Sequence, residues 1–206
     1  MTLRKSLITT ALAVSALTAS AEFRWGPTAG VNISTLHWKQ NIAKTSQLAG
    51  MQAGLLGELM IPGIGFGIDI GLRYNLHGAH VNFGDHEIWS STGIENQNVW
   101  LHTLEIPFNL KFKWTRMNGF EQTLAPFVYG GPVFNFTLGT NHAPAIEHPA
   151  GYVAIQVGLG AELFEHYQIS AGYSWGVSYQ VRTIKLENYS AQPRGWFVNF
   201  TYLISR

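Results

Sequence analysis

The sequence predicts an all-β protein, an eight-stranded antiparallel up-and-down transmembrane β-barrel with four long outside loops and short periplasmic turns. Three observations predict it. Apolar and polar residues alternate through eight successive stretches after residue 21. A leader with the form of an export signal precedes them. The connections between the stretches alternate between short and long, as they do in outer-membrane barrels.

Residues 1–21 read as a cleaved signal peptide. Arg4 and Lys5 supply the charged start, residues 7–17 the apolar run, and Ala19, Ser20 and Ala21 the small-residue cleavage pattern. The apolar run is too short for a membrane-spanning helix. Residues 22–206 are then one barrel domain. The chain has no cysteine, which leaves no residue for a lipoprotein anchor or a disulfide framework. The formal net charge of +1 turns slightly acidic without the two leader cations, which is no footprint for nucleic acid. Charged residues make up only 12% of the chain and aromatic residues 13%. That charged share is about half the usual one for a soluble domain, and it suits a surface facing lipid.

Strands are expected near 25–36, 48–61, 65–77, 99–114, 124–138, 151–164, 167–181 and 195–204. The clearest is 167–181, where Ile169, Ala171, Tyr173, Trp175, Val177, Tyr179 and Val181 alternate with polar and small residues. Most stretches reach the roughly 9–11 residues that a tilted strand needs to cross a bilayer. Residues 37–47, 78–98, 139–150 and 182–194 form long polar connections, and 62–64, 115–123 and 165–166 form short turns. That asymmetry places both termini in the periplasm and the four long loops outside an integral outer-membrane protein.

Alternation alone does not say which face meets lipid. Aromatics gather at both strand ends, with Trp38, Tyr74, Trp100, Phe136, Tyr152, Tyr179 and Trp196 toward the outside. Trp25, Phe66, Phe112, Trp114, Tyr167 and Tyr202 lie toward the periplasm. Two belts of this kind suit two membrane interfaces. The opposite face carries Glu58, Asp69, Arg73, Glu105, Lys111, Lys113 and Glu162. Lys or Arg in mid-bilayer would cost roughly 2–4 kcal/mol each. Inside a narrow barrel the same residues can pair as a lumenal ion-pair network, with Gly54, Gly67, Gly71, Gly158, Gly160 and Gly172 leaving them room. A secreted soluble barrel is the rival architecture.

The run 101–111, with Leu104, Glu105, Ile106 and Pro107 at its centre, resembles the YLEIPLLLK strand of the PorT-like outer-membrane β-barrel family of the Bacteroidetes. Residues 30–34, 126–132, 158–162 and 172–176 are similar to it in the same order, so the resemblance covers nearly all of the chain after the leader. It implies an eight-stranded outer-membrane barrel, often labelled porin-like. Thr103 stands where that family usually has an aromatic residue, and the chain ends on Arg206 rather than on an aromatic. Read physically, Pro107 cannot donate a ladder hydrogen bond and marks a bulge or local irregularity. Glu105 is a partner for Arg73, Lys111 or Lys113.

The residues point first to a structural or interaction protein with a filled, charged lumen that presents its outside loops. The expected partners are outer-membrane lipid, the outer-membrane assembly machinery and a surface or periplasmic protein. A narrow porin or a ligand- or metal-uptake barrel is the alternative, and a lipid- or peptide-hydrolysing enzyme stands third. Loop histidines His77, His80, His86, His142 and His148 would meet above the barrel and are candidate ligands for Zn, Cu, Ni or haem. Their spacing matches no tight motif, and solvated loop residues are the plainer reading. Ser90, Ser91 and His102 are available for catalysis, but no nucleophile motif surrounds them, so no catalytic residue and no cofactor is expected.

Overall fold

The computed structural model describes residues 22–38, 44–61, 63–82, 97–140, 146–147, 151–178, 181–183 and 190–204. Residues 1–21, where a signal peptide is expected, lie outside them. Eight strands form the wall: β1 (Glu22–Trp38), β2 (Lys44–Met60), β3 (Phe66–Asn82), β4 (Gln97–Lys113), β5 (Leu124–Thr140), β7 (Gly151–Leu163), β8 (Tyr167–Gly176) and β10 (Ser190–Tyr202). Each pairs antiparallel with its neighbours in that order, and β10 closes on β1 from Thr28↔Thr201 to Trp38↔Ala191. Closure removes the sheet edges that a membrane cannot tolerate. No helix of the described residues is long and apolar enough to cross a membrane.

Alternation explains the placement of nearly every side chain. Along β3, Ile70, Leu72 and Tyr74 are exposed on the outer wall, while Asp69, Arg73, Asn75 and His77 are buried in the lumen. β4 repeats this pattern, with Phe108 and Leu110 outside and Glu105, Asn109, Lys111 and Lys113 inside. Exposed apolar side chains over the whole outer wall, around a polar interior, are the inverse of a soluble protein.

The strands run further than the sequence suggests. β1 to β5 each have 17 residues, about 55 Å of extended chain. A tilted strand needs only about 10 residues for an apolar band of roughly 25 Å. The surplus lies at the long-loop end, where β3 runs on from Tyr74 to Asn82 and residues expected in loops join the sheet. Two short strands, β6 (Ile146–Glu147) and β9 (Val181–Thr183), extend it there, β9 pairing with β10 and with β6.

Two expectations are corrected and a third is narrowed. The strand expected over 167–181 stops at Gly176, because the N–H groups of Val177 and Ser178 both turn to Val153 O. Tyr152 does not belong to the outer aromatic belt. It shares its parity with Gln156 and Glu162 and is buried in the lumen. Pro107 marks a local irregularity, as expected, but no bulge: pairing between β3 and β4 skips Gly71 and Leu72 and resumes in unchanged register. The register shifts lie instead between His102 and Thr103, and between Gln47 and Met51.

At the short-turn end, β2 and β3 are joined through residues 61–65. β4 and β5 are joined through a 3-10 turn at Phe120–Gln122, and β7 and β8 through Phe164, Glu165 and His166. Both ends of the described chain lie here, since Glu22 pairs with Met60 and Ile204 bridges Trp25.

Candidate functional site

The lumen holds the chemistry. Four cations, Arg24, Arg73, Lys111 and Lys113, and four carboxylates, Glu58, Asp69, Glu105 and Glu162, are buried in it. The strand register stacks them in two groups. Toward the short turns, Arg24 lies opposite Glu58, and Glu58 opposite Asp69 on the next strand. Nearer the long loops, Arg73 lies opposite Glu105. The period-two pattern thus becomes a column of charges inside the barrel, in which Lys111 bridges the two neighbouring carboxylates Glu58 and Asp69.

Glu58 is the hub of the lower group. Its Oε1 accepts from Arg24 Nη2 and from Lys113 Nζ at 2.9 Å. Its Oε2 accepts from Lys111 Nζ at 2.6 Å and from Gln168 Nε2 at 2.8 Å. A carboxylate offers about four lone-pair sites, so Glu58 is saturated. Glu162 is held almost as fully, by Arg24 at 3.0 Å, Lys113 at 2.6 Å and Gln168 at 2.7 Å. Asp69 pairs with Lys111 at 3.0 Å. Three cations face three carboxylates, so the group is neutral as a whole, as burial at this depth demands.

The upper group is built mostly of amides. Arg73 donates to Glu105 Oε2 at 3.1 Å and to Gln156 at 3.2 Å, and Asn75 donates to Glu105 Oε1 at 2.6 Å. Gln156 reaches Asn109 at 2.8 Å, and Asn32 reaches Asn75 at 2.8 Å. The two groups meet at a cavity of about 30 Å³ lined by Asp69, Lys111 and Arg73, and a second of about 50 Å³ opens above Arg73. Each has room for only a few water molecules.

All seven residues expected to form the lumenal network face the interior, and the structure brings them together in these two groups. Glu105 pairs with Arg73 and has no ion pair with Lys111 or Lys113. The reading from sequence missed Arg24, because it began β1 at Trp25. Extending the alternation backward from Thr28 through Gly26 would have placed Arg24 inside. It also missed Phe127, whose ring lies 4.2 Å from Lys111 Nζ, a cation–π contact that helps offset desolvation of the ammonium. Of the glycines expected to make room for charges, Gly158, Gly160 and Gly172 make room for rings instead. A Cβ on Gly160 would lie 2.5 Å from Phe127, and one on Gly172 would lie 2.6 Å from Phe197.

The histidines do not share one place. His77 is a lumenal residue of β3, within 3.4 Å of Thr103 Oγ1 and 3.5 Å of the Tyr152 hydroxyl. Strand pairing reaches past it, so it is not in a loop. His80 lies further along β3, opposite Asn98. His86, His142 and His148 lie outside the described residues. Among the described residues, no three His, Asp or Glu side chains are arranged to hold a metal ion. His102 is on the outer wall, hydrogen-bonded through Nδ1 to the Tyr74 hydroxyl. Ser90 and Ser91 lie outside the described residues.

The family model described as outer membrane protein beta-barrel domain matches residues 15–205. No curated protein is significantly similar to the chain. Among solved structures, the chain is similar to the outer membrane protein OprG of Pseudomonas aeruginosa, at 12% identity and a TM-score of 0.52, covering 90% of this chain and 96% of that one. Looser likenesses include Ail, the attachment invasion locus protein of Yersinia pestis, at 9% identity and a TM-score of 0.42, covering 89% and 99%. The outer membrane enzyme PagL is another, at 8% identity and a TM-score of 0.42, covering 84% and 97%. At these identities a likeness bears on the fold alone.

Proposed function

Because the chain belongs to the outer membrane protein beta-barrel domain family, we propose that it is a structural and interaction barrel of the outer membrane with a plugged lumen. Its working surface is then the long-loop end, where the strands outrun the bilayer and offer a rim of sheet and loops to a surface partner. The short-turn end and both termini face the periplasm, in keeping with the asymmetry of connection lengths.

The observation that carries this reading is the saturation of Glu58. A permeating ion would have to displace Arg24, Lys111, Lys113 or Gln168 from a carboxylate that is fully enclosed. Removing one partner from such a buried set costs about 3–5 kcal/mol. Side chains generally fill barrels of eight strands in this way. The reading assigns no catalytic residue.

Planar-bilayer recording tests it. Purified barrel is expected to give no stepwise conductance. Openings that disappear when Glu105 or Lys111 is altered would overturn the plug and favour a narrow selective channel.

A further inference from the structure

Arg116 stands apart from the other cations. Of the Lys and Arg residues whose side chains are described, four are buried in the lumen, Arg194 is half-buried, and Arg116 alone is exposed. Its Nη2 donates to Gly63 O at 2.6 Å and so ties the β4–β5 connection to the β2–β3 turn. No carboxylate among the described residues forms an ion pair with it. Glu121, the acid nearest in sequence, is engaged by the N–H groups of Met117 and Gly119 within its own turn. A guanidinium has five N–H donors in a planar fork, so most of its capacity remains for an anion.

The surface beside it is apolar and ordered. The rings of Phe66 and Phe112 lie 4.8 Å apart, and those of Phe112 and Trp114 lie 4.9 Å apart edge to face. This aromatic ladder belongs to the membrane-facing belt at the short-turn end. Ile64, Phe112, Trp114 and Arg116 line an open surface notch of about 300 Å³. A cation at the outer edge of an apolar, aromatic notch is complementary to a molecule with an anionic head and hydrocarbon tails.

We propose that this notch binds the headgroup of an anionic membrane phospholipid, its phosphate on the Arg116 guanidinium and its upper acyl chain along Phe112, Trp114 and Ile64. The assignment rests on the reading of the barrel as membrane-embedded with its short turns at the periplasmic leaflet. Aromatic belts sit at headgroup level, which puts Arg116 at the depth of the phosphates. The bound lipid would also bridge the two turns that the hydrogen bond between Arg116 and Gly63 joins.

Native mass spectrometry tests the proposal on the full chain, folded into vesicles of phosphatidylcholine with or without phosphatidylglycerol and then extracted in detergent. The unaltered barrel is expected to carry phosphatidylglycerol in preference to phosphatidylcholine. Arg116→Gln reduces that preference about fivefold, the effect of one cation near an anionic surface, while Arg116→Lys keeps most of it. Equal carriage of the two lipids overturns the proposal, as does an unchanged preference in a folded Arg116→Gln barrel. If Arg116→Gln shifts the protein between monomer and dimer with lipid carriage unaltered, the notch belongs to a second copy of the chain and the lipid assignment fails. Should Arg116→Gln not fold, Trp114→Ala leaves the bond to Gly63 in place and removes an acyl-chain contact, and an unchanged amount of phosphatidylglycerol carried there is equally fatal. The vesicles offer the same lipids to both leaflets, so the outcome is independent of the orientation and of the conductance result.

Discussion

Lys111 Nζ lies 2.6 Å from Glu58 Oε2, and the two side chains are 1% and 0% exposed. Neither charge survives there alone, because burial of an unpaired ion costs several kcal/mol. Glu58→Gln and Lys111→Met are each expected to destabilise the barrel by about 3–5 kcal/mol. The double variant is expected to lose less than the sum, since it removes the pair rather than stranding one charge. Urea unfolding in lipid vesicles reads all three, and strict additivity would show that the two residues do not interact.

Arg24 joins the lumenal plug to a turn. It binds Glu58 and Glu162 inside the barrel and donates through Nη1 to Glu165 O at 2.7 Å. Arg24→Gln should therefore destabilise the barrel and also raise amide hydrogen exchange at the β7–β8 turn. If exchange at the turn stays at its original rate, that link is absent.

The same turn carries backbone strain. Phe164 and Glu165 have φ of 52° and 61°, a left-handed pair that a two-residue hairpin usually gives to Asn-Gly. A residue with a bulky side chain pays roughly 1–2 kcal/mol there. Phe164→Asn combined with Glu165→Gly is expected to raise the unfolding midpoint, by about 1–2 kcal/mol of stability. A drop would mean that the Phe164 side chain contributes more than its backbone costs.

Two glycines offer a matched comparison. A Cβ at Gly160 would meet Phe127 and Ile169 O at 2.5 Å, whereas one at Gly139 would meet nothing within 4 Å. Gly160→Ala should destabilise by about 1–3 kcal/mol through overpacking, and Gly139→Ala should be close to neutral. Similar losses at both positions would refute the tight seat of the Phe127 ring.

Glu121 provides a pH test outside the membrane. Its own backbone N–H and those of Met117 and Gly119 hold its carboxyl below the usual carboxylate range. A depressed folded-state value stabilises the turn above the unfolded pKa of about 4.3, and that contribution fades as pH falls through the folded value. Amide protection around the turn is thus expected to drop on acidification, and Glu121→Gln should flatten the profile. An identical acid response in the variant would assign the effect to another group.

Much of this arrangement is legible in the chain. Because a strand's side chains alternate with a period of two, Asp69, Arg73, Glu105, Lys111 and Lys113 could be assigned to the interior without coordinates. Where the reading erred, it lacked information that local pattern does not carry. Arg24 precedes the first clearly alternating residues, and Tyr152 was judged by residue type instead of parity. Val177 fits the alternation of 167–181, yet the backbone leaves the sheet there because Val153 O captures two N–H groups.

The amino-acid order alone determines the eight wall strands and, through the aromatic belts and the charges on the opposite face, the inward parity of most lumenal residues, because those follow from a two-residue repeat and hydrophobicity. Pairing is another matter. That Glu105 takes Arg73 while Glu58 gathers Arg24, Lys111, Lys113 and Gln168 depends on strand register and closure, which bring residues up to 110 positions apart to one carboxylate. The notch beneath Arg116 likewise needs register, from the pairing of β3 with β4 that sets the β2–β3 turn beside the start of the β4–β5 connection.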